Sequence, residues 1–133
     1  MVSTEKRRLL TIGPLEADII GILGRLKEAT ANEIWNELNK AGRKTAYTTI
    51  LTVLSRLYTR GGLVAKRQKA MNNAKQYVYK LTITDEMKYD LIRQHIYIIG
   101  RMFGSEGLNI MAKLLLDYGP TYNYDDLGGD EYM

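Results

Sequence analysis

Four short hydroxyl side chains, Thr48, Thr52, Ser55 and Thr59, recur at spacings of three and four and so share one face of a helix. Solvated helix faces are usually built from Glu, Lys and Gln, because β-branched and hydroxyl residues are weaker helix formers. Short hydroxyls let a polar partner come close: they meet phosphates and base edges, and Thr methyls meet thymine methyls. The plainer account is an amphipathic helix with a Thr-rich outer face, and its surroundings weigh against that account. Between Leu38 and Thr84 every charged residue is basic: Lys40, Arg43, Lys44, Arg56, Arg60, Lys66, Arg67, Lys69, Lys75 and Lys80. A solvated surface normally mixes both signs. An acid-free run of this length is the electrostatic footprint of a polyanion binder. Nucleic acid fits it better than an acidic protein partner.

The charge is polarised along the chain. Residues 1–84 hold 15 Lys and Arg against 6 Asp and Glu, whereas residues 85–133 hold 4 against 9. No cysteine is present, which excludes disulfides, thiolate metal sites and cysteine nucleophiles. The single histidine, His95, has no partner in the sequence and reads as a packed or surface residue, so no metal and no cofactor is expected. With no carboxylate pair in the basic part, no general acid/base or nucleophile constellation forms, and no catalytic residue is assigned. There is no run of 18 apolar residues for a membrane span, and the start MVSTEKRRLL lacks the apolar core of a signal peptide. A cytoplasmic protein without membrane contact is the default expectation.

The hydroxyl face needs a helix to carry it, and the periodicity supplies one over Thr45–Arg60, stopped by Gly61-Gly62. Ala46, Ile50, Val53, Leu54 and Leu57 form its buried stripe. Upstream, Gly13-Pro14 opens a helix with the stripe Leu15, Ile19, Ile22, Leu23 and Leu26, since Pro is favoured at the first helical position. Gly21 and Gly24 lie on its far side. Thr30-Ala31-Asn32-Glu33 reads as a capping box that starts a second helix, buried through Ala31, Ile34, Trp35 and Leu38 and ended by Ala41-Gly42. Thr45 is placed to cap the third helix. Two helices joined by a short Gly-containing turn are the pattern of a helix-turn-helix.

After Gly62 the period changes from 3.6 to 2. Leu63–Gln68 and Gln76–Leu81 read as two strands of a hairpin, with Tyr77, Tyr79 and Leu81 on its packed face and Met71-Asn72-Asn73 at the turn. Three helices followed by a basic hairpin are the order of a winged helix. Base reading is assigned to Tyr47, Thr48, Thr49 and Thr52. Phosphate contact is assigned to Arg43, Lys44, Thr45, Arg56, Arg60, Lys66, Arg67, Lys69 and Lys75.

Thr84-Asp85-Glu86 starts a further helix, with a hydroxyl cap and acids in the first turn. To about Phe103 it carries two adjoining apolar stripes, Met87, Leu91, Ile98 and Met102 beside Ile92, Ile96, Ile99 and Phe103. Gly104-Ser105-Glu106-Gly107 breaks the chain, and Leu108–Tyr118, including Met111 and Leu115, is apolar nearly all round. Two such helices cannot cover each other, and a second copy of the chain is the simplest cover. The residues from Gly119 onward are acidic and Gly-containing and read as a disordered tail. The N-terminal arm with Lys6-Arg7-Arg8 reads as frayed.

Two segments resemble the penicillinase-repressor family, which also includes methicillin-resistance and copper-responsive repressors. They are Leu10–Leu23 with Gly13-Pro14-Leu15-Glu16, and above all Ala46–Leu57 followed by Gly61-Gly62-Leu63-Val64. Tyr77-Val78-Tyr79 is similar to the aromatic return strand of that family's wing. The resemblance spans roughly residues 10–84 and implies a dimeric winged-helix repressor that binds a palindromic operator through the helix over Thr45–Arg60. Where family members often carry a Trp at the end of the first helix, this chain has Gly24. No Asn-Phe dipeptide stands for inactivating cleavage and no Cys for a thiolate copper sensor, so no inducing signal or small-molecule effector carries over.

The expected fold is therefore mainly α with a small β-hairpin. A winged helix-turn-helix domain spans residues 1–84, a helical dimerisation segment residues 85–118, and an acidic disordered tail residues 119–133. The dimer contacts are assigned to Met87, Leu91, Ile92, Ile96, Ile99, Phe103, Leu108, Met111 and Leu115. The expected function is that of a homodimeric repressor on double-stranded DNA. The alternative is a winged helix used for protein interaction within a larger assembly.

Overall fold

A computed structural model describes residues 12–71 and 74–119. The chain is mainly helical with one small antiparallel sheet. Its elements run α1 (Pro14–Leu26), β1 (Glu28–Thr30), α2 (Ala31–Lys40), α3 (Tyr47–Thr59), β2 (Val64–Met71), β3 (Ala74–Leu81) and α4 (Asp85–Tyr118). The expected N-terminal arm, hairpin tip and acidic tail fall largely on residues outside this description. The chain falls into two compact units that divide after Asp90.

The first unit is built as the sequence signals direct. Pro14 opens α1 from an extended Gly13, and Thr30 and Glu33 form the reciprocal capping box of α2. Gly42, at a φ of 88° that favours glycine, turns the chain after α2 while the Arg43 amide donates to the Leu38 carbonyl. Ile19, Leu23, Ile34, Leu38, Ile50, Leu54 and Leu57 close the core between the three helices. Leu63 and Val64 extend that core into the sheet. The sheet is ordered β1-β3-β2, with Ala29 opposite Tyr79 and Lys66 opposite Tyr79 on the other side.

Several expectations are corrected here. The expected hairpin of β2 and β3 is present, but the sheet gains a third strand, β1, whose three residues run into the capping box at Thr30. Both hairpin strands are longer than the alternation predicts. Thr45 does not cap α3: the cap position is Ala46, whose methyl cannot accept a hydrogen bond and which is exposed rather than in the buried stripe. Of the wing tyrosines, Tyr79 is buried beside Val78, but Tyr77 is exposed.

In the second unit α4 continues to Tyr118, with a single non-helical residue, Gly104, at φ 63° and ψ −152°. The expected four-residue break is thus one residue wide. Ser105, Glu106 and Gly107 are already helical. A Cβ on Gly107 would lie 2.6 Å from the Phe103 Cβ and 3.2 Å from the Ile99 Cγ2, so the kink closes only with glycine there. Ahead of α4, the Thr84 hydroxyl accepts from the Met87 amide at 3.2 Å, the expected cap.

Candidate nucleic-acid interface

Burial of Ile50, Val53, Leu54 and Leu57 fixes the rotation of α3 and turns Thr48, Thr49, Thr52, Ser55 and Thr59 outward, all of them exposed. The start of the helix is set by aromatic packing in place of a side-chain cap. The Trp35 indole Nε1 donates to the Thr45 carbonyl at 2.7 Å, and Tyr47 meets the Trp35 ring edge to face at 5.7 Å and 74°. An edge-to-face pair adds about 0.5–1.5 kcal/mol beyond its burial. Trp35 is therefore half-buried and braces the helix, rather than being a plain core residue. Thr45 takes part through its backbone.

Two of the outward hydroxyls are already engaged. Thr52 Oγ1 donates to the Thr48 carbonyl at 3.0 Å, and Thr59 Oγ1 donates to the Ser55 carbonyl at 2.8 Å. Both are back-bonds to the preceding turn.

The acid-free run is not acid-free in space. Arg43 Nε donates to Asp18 Oδ2 at 2.7 Å, Arg56 to Glu16 at 3.1 Å and Arg67 to Glu28 at 2.9 Å. Each guanidinium is held by an acid of α1 or β1. The pair on Glu16 is partly shielded, with side chains 36% and 12% exposed, whereas that on Glu28 is open to solvent. The Lys66 ammonium lies 4.8 Å from the ring centroids of both Tyr58 and Tyr77, which joins the root of the wing to the end of α3. Among the described residues no acid pairs with Lys44, Arg60 or Lys69, all exposed. The side chain of Lys75 lies outside the described residues. On the side of the unit formed by α1 and α2, hydrogen bonds from Arg25 and Lys40 hold the Glu37 carboxyl below its ordinary value. Burial pushes the Tyr79 phenol above its own.

Two residues of this surface escape sequence reasoning. Leu51 and Tyr58 are about 40% exposed on the flank of α3 that also carries Tyr47. The available signal was negative: both fall outside the buried stripe. The acids Glu16, Asp18 and Glu28 gave no signal, since their partners lie 25 or more residues away.

The second unit has a different character. Ile92, Phe103 and Leu115 are each 60% exposed or more, and Leu116 reaches 85%. Ile96 and Leu108 are also exposed, while Leu91, Ile99 and Met111 are half-buried. Met87, half-buried, lies before the division between the units. Ile98, Met102, Ile110 and Leu114 add to the exposed apolar surface. His95 Nδ1 lies 2.8 Å from the Leu91 carbonyl. Among the described residues no group of three potential metal ligands comes together, and no helix is long and apolar enough to cross a membrane.

Comparison with known proteins gives one family and a set of similar folds. The family model described as Penicillinase repressor matches residues 12–96. No curated protein matches the chain. A PadR-family transcriptional regulator from Eggerthella lenta is 20% identical, with a TM-score of 0.46 over 71% of this chain and 86% of that one. Bacillus subtilis PadR in complex with operator DNA is 23% identical, with a TM-score of 0.44 over 59% of this chain and 46% of that one. The complex structure of hsRosR-S1 is 17% identical, with a TM-score of 0.48 over 89% of this chain and 99% of that one.

Proposed function

The chain belongs to the penicillinase-repressor family, and we propose that it is a sequence-specific DNA-binding transcriptional regulator, a homodimeric repressor that acts on a palindromic operator. The observation that carries this reading is the outward hydroxyl face of α3, held in rotation by four buried residues and in position by the Trp35 brace. Side chains mounted on a packed helix are fixed well enough to read base edges. Tyr47, Thr48, Thr49 and Thr52 take that role. Lys44, Arg60 and Lys69, exposed and paired with no acid among the described residues, hold phosphate. Arg43, Arg56 and Arg67 reach phosphate only by sharing or leaving their carboxylate partners, so their contribution is smaller than their charge suggests. Lys66, exposed between its two rings, keeps N–H donors for phosphate while it stays there.

The apolar surface of residues 91–118 supports pairing with a second copy. A winged helix in a two-fold dimer reads two half-sites about 10 bp or a multiple apart. The reading has no catalytic step.

Selection of bound sequences from a random duplex pool tests the reading. It should recover two copies of one short motif related by a two-fold axis. Recovery of unrelated sequences, or of none, would contradict it and favour a protein-interaction module. On the recovered duplex, Lys69→Ala should flatten the log-log salt dependence by about one unit and leave sequence preference intact.

A further inference from the structure

Cations on this surface are held in two ways. Carboxylates hold Arg43, Arg56 and Arg67, which fixes each guanidinium and offsets its charge. Rings hold Lys66, which fixes the ammonium and leaves its charge whole. Its Nζ lies 4.8 Å from the Tyr58 centroid and 4.8 Å from that of Tyr77, inside the roughly 6 Å reach of a cation–π contact. The three residues come from three elements: Tyr58 from the last turn of α3, Lys66 from β2 and Tyr77 from β3. In the ladder Gln68 stands opposite Tyr77, and Lys66, two residues from Gln68, shares its face of the sheet. Both rings and the lysine are exposed, and among the described residues no acid pairs with Lys66. A lysine free in solvent must be immobilised when it meets a phosphate, and that ordering costs affinity. Here the rings impose the order on folding, before DNA arrives.

We propose that Tyr58 and Tyr77 are positioning residues that hold the charged Lys66 ammonium ready for one backbone phosphate, and so tie the wing to the reading helix during DNA binding. This inference rests on the reading of the chain as a sequence-specific DNA binder. It adds two aromatic residues that act through Lys66 and not through any base. Neither ring can contribute more than its own contact, a factor of about 2–5 at an exposed site.

The test is a double-mutant cycle on the full chain, titrated over a range of salt on a duplex recovered from the random pool and on a scrambled one. Lys66→Ala should weaken binding to both duplexes alike and flatten the log-log salt dependence by about one unit per half-site. Tyr77→Leu should weaken binding to both by about two- to fivefold per half-site, with the salt slope intact because Lys66 still reaches its phosphate. Added to Lys66→Ala, Tyr77→Leu should cost nothing further. Tyr77→Phe should recover most of the loss, since the ring face and not the hydroxyl holds the ammonium. Thermal melting checks the fold of each variant, and Tyr58→Leu runs the same cycle from α3 should Tyr77→Leu unfold. The inference is overturned if the tyrosine loss persists in the Lys66→Ala background, if Tyr77→Phe loses as much as Tyr77→Leu, or if Lys66→Ala leaves the slope unchanged. In each of these cases selective binding by the unmodified chain keeps the functional reading standing. If the pool yields no motif, both fall.

Discussion

The apolar stripe of α3 and the stripes of α4 look alike in the sequence and end in opposite places. In α3, Ile50, Leu54 and Leu57 are fully buried, whereas in α4 Ile92, Ile96 and Phe103 stay 42–62% exposed. The difference lies in what surrounds each helix. α3 has α1, α2 and β2 to pack on, all within the first 90 residues. Residues 91–118 have one another, folded at Gly104, and a pair of helices cannot cover stripes that occupy half of each circumference. The first unit has a finished core, whereas the second leaves much of its apolar surface exposed. Isolated apolar patches larger than a few hundred Å² mark interaction surfaces.

The comparison breaks most visibly at the exposed stripe. Ile96→Glu combined with Ile99→Glu should leave the first unit folded and convert the protein to a monomer in sedimentation. Loss of the second half-site should then weaken operator binding by about 10²–10⁴, the usual gain from linking two sites. A well-folded monomer for the unmodified chain at concentrations on the order of tens of micromolar would remove the second copy from the account.

The buried stripe should respond in the opposite sense. Leu54→Ala is expected to destabilise the first unit by about 2–5 kcal/mol, measured by denaturant unfolding followed through Trp35 fluorescence. Its effect on self-association should be small. If Leu54→Ala dissociates the protein without unfolding it, the two stripes have been assigned the wrong roles.

The smallest effect is a pH dependence confined to the finished core. Burial holds the Tyr79 phenol above its ordinary value of 10.0, so the unfolded chain releases that proton first. Stability is therefore constant with pH below the ordinary value and falls as pH rises from there through the raised one. Tyr79→Phe should remove this slope. An unchanged slope would place its origin in other groups.

Much of the first unit was legible in the sequence because its signals are local. The capping box at Thr30–Glu33, Pro14 at the first turn and the stripe of α3 each sit within a few residues. What was not legible depends on distance along the chain. β1 is three residues long, and its pairing partner lies some 50 residues downstream, so no periodicity betrays it. The neutralisation of Arg43, Arg56 and Arg67 comes from acids 25, 40 and 39 residues earlier. Charge runs read along a sequence overstate the field for that reason. Trp35 was read as core from its register, and register does not show that its indole nitrogen has a carbonyl to reach. The sequence predicts a four-residue break at Gly104–Gly107, since glycines punctuate helices. Only the close approach to Ile99 and Phe103 reveals that Gly107 is there for space.

The central claim is that a fixed helix face reads sequence and that two copies read together. A salt titration of the unmodified chain on the selected duplex and on a scrambled one, with stoichiometry determined in the same experiment, tests it most directly. The account predicts two protomers per duplex, an affinity for the selected sequence at least about 10³ tighter than for the scrambled one, and a linear fall of log K with log salt on both. Equal affinity for the two duplexes, or saturation at one protomer per site, would contradict it.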